Sequence, residues 1–285
     1  RKSIAPHDSS GANLVVQVKN NEVLRVVPLE NEEVNECWIA DRDRFSYEGL
    51  HAEDRLLKPM LRVEGQWREA SWEEALQAAA RGLKAAGENL GTLVHPSCTV
   101  EEAHLAARVT RSLGSANIDH RLRVRDFRDA SADPLHPTLG LPIAEVDALT
   151  GVLVVGGNLR AEMPLLAHRL RKAVVRGKAR VAFIEAEPAP YHFPVASRVG
   201  AAPAAWVHEL AAIVKAAAEL AGSSPGPLFA DLLHGVVVSD AHRSAAAALC
   251  HGTQRIVWLG AMALRHPSSV DLRALGAELA RISGA

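Results

Sequence analysis

The sequence predicts an α/β fold: a doubly wound, mostly parallel sheet preceded by a small β-rich module. Two observations carry this prediction. From about residue 59, strand-like and helix-like runs alternate to the end of the chain, the pattern of a parallel sheet with crossover helices. Within that stretch, TGVLVVGGNLRAEMPLLAHRLRKAVVRGKARVAFIEAEP (150–188) reads as strand, glycine turn, helix and strand, a complete βαβ unit. Two domains are therefore expected, at residues 1–58 and 59–285, in line with a rough allowance of ~150 residues per domain.

The elements follow in order. LVVQV (14–18) and VLRVVP (23–28) are strands, and Asn20 and Asn21 between them suit a tight hairpin turn. SWEEALQAAARGLKAA (71–86) is a helix with Ser71 as N-cap and Glu74 placed to complete a capping box. GTLVHP (91–96) is a short buried strand, and TVEEAHLAARVTRSLG (99–114) is a helix ended by Gly114. A proline-containing loop fills 131–150. VLVV (152–155) is a central strand, Gly156 and Gly157 make its turn, 161–175 is a helix and ARVAFIE (179–185) the next strand. Residues 203–220 form a long alanine-rich helix. Residues 239–250 form another, capped by Ser239 or Asp240. RIVWLG (255–260) is a buried strand and 268–282 the last helix.

Composition excludes several function classes. With 48% hydrophobic and 23% charged residues the chain has the composition of a globular protein. A net charge of −1 with no basic tract leaves no nucleic-acid footprint. No apolar run approaches the ~18 residues of a membrane span. Cys37, Cys98 and Cys250 are too few and too scattered for a disulfide framework and fit a reducing compartment. The sequence opens on Arg1 rather than Met and closes on ELARISGA (278–285); both ends read as cut, so a piece of a longer protein is expected.

The segments SIAPHDSSGANL (3–14), NEEVNECWIADRDRFSYEGLHAEDRLLKPM (31–60) and NIDHRLRVRDFRDA (117–130) resemble the family of the large iron–sulfur subunit of NADH:quinone oxidoreductase (respiratory complex I). In that family and in molybdopterin oxidoreductases, cysteines spaced C-x2-C-x3-C-x27-C hold a [4Fe–4S] cluster. Here those positions are Ala5, Asp8, Ala12 and Ala40. Such a cluster needs four thiolates, and alanine offers no donor atom. Cys37 stands three residues before the fourth position without cysteine partners and is expected to be a small packed side chain. No metal site and no cofactor are therefore expected in this chain.

The resemblance further implies an α/β domain of molybdopterin-oxidoreductase type and iron–sulfur clusters in an upstream part of the full subunit. It implies other peripheral-arm subunits of complex I as partners. It also implies a peripheral place on the cytoplasmic side of the inner membrane, or the matrix side in a mitochondrion. In the family's cofactor-binding members the turn equivalent to Gly156, Gly157 and Asn158 presents backbone amides to a guanine dinucleotide. The wording GGN does not meet a G-x-G-x-x-G fingerprint. Two readings of it stay open: a vestigial nucleotide turn, or simply a strand re-entering a helix.

Other groupings carry less. His95 with Cys98, and His234 and His242 beside Asp231 and Asp240, make neither HExxH nor a facial triad, and no G-x-S-x-G elbow occurs. HRLRVRDFRD (120–129) reads as a solvated, salt-bridged stretch or subunit contact, with an anion site as the sharper alternative. RLRKAVVRGKAR (169–180) reads as the charged face of an amphipathic helix. Three functions compete: a scaffold within complex I, part of a formate-dehydrogenase-like molybdopterin enzyme, and a small α/β nucleotide-binding module.

Overall fold

Asn20 and Asn21 hold φ of 50° and 63°, the left-handed pair that a two-residue hairpin turn requires. They join β2 (Asn13–Lys19) to β3 (Glu22–Pro28), and β1 (Lys2–Ile4) completes an antiparallel sheet in the order β1-β2-β3. A short helix, α1 (Asp41–Phe45), follows. The structure, a computed structural model, describes residues 1–7, 9–95, 97–120, 126–132 and 138–285. It divides into one unit of Arg1–Phe45 with Arg125–Ala285 and another of Ser46–Val124.

The second unit holds the hairpin β4 (Met60–Val63) and β5 (Gln66–Glu69), then α2 (Trp72–Ala86). β6 (Gly91–Leu93) pairs in parallel with β7 (Asn117–Asp119), and α3 (Val100–Ser112) lies between them in sequence. Ser71 caps α2 by accepting the Glu74 N–H. The expected capping box is only half formed, because the Glu74 carboxylate pairs with Arg68 instead. Thr99 and Glu102 make a complete box at the start of α3, and Gly114 at φ 85° follows its end. The strand expected to be buried at 91–96 is not: Gly91 and Leu93 are exposed, because a two-stranded sheet covers little surface. Pro96 lies outside the described residues. For the same reason Trp72 and Leu76 on α2 remain 70% and 62% exposed.

The first unit continues with a four-stranded parallel sheet. β8 (Gly151–Val155) is followed by α4 (Leu159–Glu162), α5 (Pro164–Gly177), β9 (Arg180–Glu185) and β10 (Ser197–Gly200). Next come α6 (Trp206–Ala221), α7 (Ala230–Leu233) and α8 (Asp240–Leu249). β11 (Arg255–Leu259), α9 (Ala261–Leu264) and α10 (Ser269–Ser283) complete the chain. The sheet order is β10-β9-β8-β11. Val152 stands beside Val181 on one side and Ile256 on the other. Alternate residues face opposite layers. Leu153, Val155, Ala182 and Ile184 pack with α6, α8 and α10, whereas Val152, Val154, Val181 and Phe183 pack with α5 and the 143–149 segment. The sheet is thus covered on both faces, as a doubly wound fold demands.

Three expectations need correction here. The helix expected at 161–175 is broken at Met163 (φ −140°, ψ 71°), since a residue before proline is driven out of the helical region and Pro164 starts a new helix. The loop expected over 131–150 contains a 3-10 helix at Ile143–Ala148; residues 133–137 lie outside the described residues. Arg169 is not on a solvated face but 3% exposed. Its guanidinium donates to the Glu32 and Val34 carbonyls and to Asp147, and these acceptors make its burial tolerable.

Candidate functional site

The cluster positions of the first module lie in its interior. Ala5, Ala12 and Ala40 are 7%, 0% and 5% exposed; Asp8 lies outside the described residues. The Ala5 N–H donates to the Ala12 carbonyl at 2.8 Å. The His7 N–H donates to Asp43 at 3.2 Å, and the Asp43 N–H donates to the Ala40 carbonyl at 3.0 Å. A hydrogen-bonded path therefore links the 5–12 loop to the turn at 40.

Beside them sits the buried Asn35. Its side-chain oxygen accepts the Asn13 N–H at 2.9 Å, and its amide nitrogen donates to the carbonyls of Leu29 (3.1 Å) and Trp38 (3.0 Å). One neutral side chain thus ties the start of β2, the end of β3 and the 36–38 turn together. Cys37, expected to be packed, is exposed, because Glu36 at φ 50° turns the chain about Asn35 and leaves the next side chain outside. Three methyl groups and an outward thiol do not match the four-thiolate donor set of a cluster. Among the described residues, no three His, Cys, Asp or Glu side chains converge as a metal site.

Gly156, Gly157 and Asn158 stand at the carboxyl end of β8. The chain runs from β8 outward through β9 and β10, and β11 returns on the other flank, so the sheet's switch point lies between β8 and β11. Ligands of open α/β sheets bind in that crevice. Here two turns meet in it, Gly156–Gly157 after β8 and Gly260 after β11. The Gly260 N–H donates to the Val155 carbonyl at 2.8 Å. A Cβ on Gly260 would overlap the Gly157 Cα and the Gly156 carbonyl. Gly156 needs its φ of 58°, and a Cβ there would strike Trp206.

Most amides around the crevice are already engaged, the Gly157 N–H being the exception. Glu162, four residues after the cap Asn158, accepts the Asn158 N–H through Oε1 at 2.9 Å and the Ala261 N–H through Oε2 at 3.0 Å. The Leu159 N–H donates to the Tyr191 hydroxyl at 3.1 Å, and the Ala161 N–H donates to Asn158 Oδ1 at 3.3 Å. Tyr191 stacks on Phe183 with ring centres 4.7 Å apart, and burial pushes its phenol above the ordinary value. Arg42, two residues after Ala40, reaches across to donate to the carbonyls of Ala161 and Glu162 at 2.8 and 2.7 Å. Sequence reasoning missed Glu162, Asn35 and Arg42. The only local sign for Glu162 was an acid four residues beyond Asn158.

The remaining groupings make contacts within the chain. His95 hydrogen-bonds Ser97 at 2.6 Å, and Cys98 is exposed. His242 closes a capping box with Ser239 and meets Glu209 at 2.7 Å through Nε2. Within 120–129, residues 121–125 lie outside the described ones. Asp126 and Asp271 hold Arg128, and Arg273 pairs with Asp129. The hydrogen bond from Arg128, more than any other cause, holds the Asp126 carboxyl well below the usual range.

The model of the molybdopterin oxidoreductase family matches residues 55–285, and the chain belongs to that family. Residues 1–48 match a second model, the NADH-ubiquinone oxidoreductase NDSU1/NuoG-like 4Fe-4S domain. The chain is 33% identical over 183 residues to the G subunit of the NADH-quinone oxidoreductase of Rickettsia felis, covering 64% of this chain and 27% of that protein. It is 30% identical over 199 residues to the NADH-ubiquinone oxidoreductase 75 kDa subunit of Reclinomonas americana, covering 63% and 28%. It is 26% identical over 181 residues to the alpha subunit of the F420-dependent formate dehydrogenase of Methanocaldococcus jannaschii, covering 61% and 27%. The chain thus spans about a quarter of the length of these relatives.

Proposed function

We propose that this chain is a structural part of the peripheral arm of NADH:quinone oxidoreductase, and that it carries neither a cluster nor a molybdopterin dinucleotide itself. In this reading the assembly passes electrons from NADH through iron–sulfur clusters to quinone, coupled to proton translocation. Those clusters belong to upstream parts of the full subunit. Residues 1–58 are the remnant of a cluster-binding module, and 59–285 belong to an incomplete α/β domain. The observation that carries the reading is the packed, hydrogen-bonded interior where the cluster would sit. Alanine methyls replace donors there, and the Asn35 amide does the cross-linking.

A second observation supports it: the Glu162 carboxylate takes amides that an anionic cofactor would otherwise meet. The match to the formate dehydrogenase alpha subunit favours the other branch of the family. That branch needs a bound cofactor, for which the module provides no thiolate set and the crevice leaves few amides beyond that of Gly157. No helix among the described residues is long and apolar enough to cross a membrane; in this reading the chain is a peripheral subunit on the cytoplasmic or matrix side.

The test is to tag the protein in its native host, separate membrane extracts by native electrophoresis, and stain for NADH dehydrogenase and for formate oxidation. The tag is expected in the NADH-oxidising band. Migration with formate-oxidising activity, or alone as a small free protein, would overturn the assignment.

A further inference from the structure

On the flank of α5, residues from three parts of the first unit enclose a cavity of about 280 Å³ that the scaffold reading leaves unexplained. Arg160, His168, Arg171 and His192 converge on it, with Asp41 as its single carboxylate and Phe193 in its apolar wall. The two guanidinium cations are not spent on internal ion pairs. The Arg171 guanidinium and the His192 ring have no hydrogen-bond or ion-pair partner among the described residues. Arg160 uses one nitrogen, donating to the Pro190 carbonyl at 2.6 Å, and the rest of its fork stays available. Such a cluster departs from the chain's balanced charge of −1, so the excess is local.

The wall is rigid. Phe193 is buried and packs on Tyr191 with ring centres 5.1 Å apart. The Arg198 guanidinium lies 6.0 Å over the Tyr191 ring and is paired with Glu185, so it is not part of the cavity's free charge. His168 is backed by Trp38, 5.4 Å between ring centres. Burial, with the nearby Lys172 and Arg171 charges, holds His168 below its ordinary value against the opposing pull of Glu36 and Asp147. Tyr191 stands between this site and the crevice, where Glu162 supplies the anion from within. Here Asp41 is the single lining carboxylate, and no ion pair holds Arg160 or Arg171 among the described residues.

Two guanidinium forks with unused donors match the planar oxygens of an oxyanion, and a concave site concentrates their field. The volume is near the lower end of ligand cavities, roughly 300–1,000 Å³. That leaves space for one phosphate group and a small ring against Phe193, not for an extended ligand.

We propose that this cavity is a binding site for a small phosphate monoester with an apolar or aromatic body. Arg160 and Arg171 bind the phosphate and Phe193 receives the ring. Calorimetric titration of the purified protein with phenyl phosphate, at a salt concentration on the order of 10 mM where screening is weak, tests it. Saturable binding is expected, weakened about tenfold by Arg171→Gln, the loss of one charge-assisted contact. Arg171→Gln removes no internal hydrogen bond, so circular dichroism and melting are expected to stay unchanged. Arg160→Gln serves as a second variant with a loss of similar size. Absence of saturable binding would overturn the proposal, as would binding that both variants retain in full. So would selective binding of a polyglutamate peptide in place of phenyl phosphate, which would make the cavity a docking point for an acidic polypeptide.

Discussion

The interior of the N-terminal module and the crevice beside β8 are closed by opposite chemistry. In the module, methyl groups and one neutral amide fill the centre: Ala5, Ala12 and Ala40 pack, and Asn35 bridges three backbone segments. In the crevice a carboxylate does the bridging, with Glu162 spanning the turns that follow two neighbouring strands. The difference follows from what each place must satisfy. A four-thiolate cluster links chain segments, so its replacement needs cross-links and bulk. An anion site presents backbone N–H groups, so its replacement needs an acceptor, and a carboxylate is a strong one. Arg42 joins the two regions by capping the carbonyls of Ala161 and Glu162.

Four substitutions test this contrast. The largest effect is expected for Gly260→Ala. Its Cβ would overlap backbone atoms of Gly156 and Gly157, which cannot yield as a side-chain tip can. A loss of more than about 3 kcal/mol in urea unfolding is predicted. A near-neutral result would mean that the two turns are not in contact.

Asn35→Ala comes next. It strands the Asn13 N–H and two carbonyls in the module's interior, a cost of about 2–3 kcal/mol. Hydrogen exchange should locate the loss in β2 and β3 and leave β8 protected. Exchange that accelerates equally in both regions would dissolve the distinction between them.

Glu162→Ala is expected to cost about 1–2 kcal/mol, because water can reach part of the crevice and replace one of the two lost acceptors. Faster exchange of the Asn158 and Ala261 amides is its signature. Unchanged protection of both would remove Glu162 from its assigned role.

The smallest effect is in pH dependence. Burial acts to raise the Glu36 pKa, but the Lys172 hydrogen bond and charge, with Arg169, outweigh it and hold the carboxyl below its ordinary value. A lowered carboxylate pKa stabilises the fold above the ordinary range, and that contribution fades as pH falls through the lowered value. Lys172→Met should therefore flatten the acid limb of the stability profile below about pH 4.5, at the cost of lower stability at neutral pH. An acid limb as steep as that of the parent protein would assign the effect to other groups.

Local chemistry made much of the fold readable. Asn20–Asn21 could hardly be anything but a primed turn, and Ser239 and Gly114 marked helix limits through capping and left-handed geometry. VLVV, the glycine pair and ARVAFIE placed the parallel strands. The break at Met163 was also written in the sequence, since Pro164 excludes a helical predecessor. What escaped depends on distant partners. Arg169 looks like a surface cation until the carbonyls of Glu32 and Val34 are brought to it. Glu162 looks like an ordinary first-turn acid until β11 delivers the Ala261 amide. The outward turn of Cys37 depends on how Asn35 is held, and the exposure of α2 on how small its sheet is.

Whether the N-terminal module can hold a cluster is decided by anaerobic iron–sulfur reconstitution of the purified protein, followed by iron analysis and electron paramagnetic resonance. Denatured samples should be searched in parallel for released pterin and guanine nucleotide. Iron far below one cluster per chain, no signal from a reducible cluster and no released pterin are expected. A stoichiometric, reducible [4Fe–4S] cluster or one dinucleotide per chain would show that the module or the crevice still binds its cofactor.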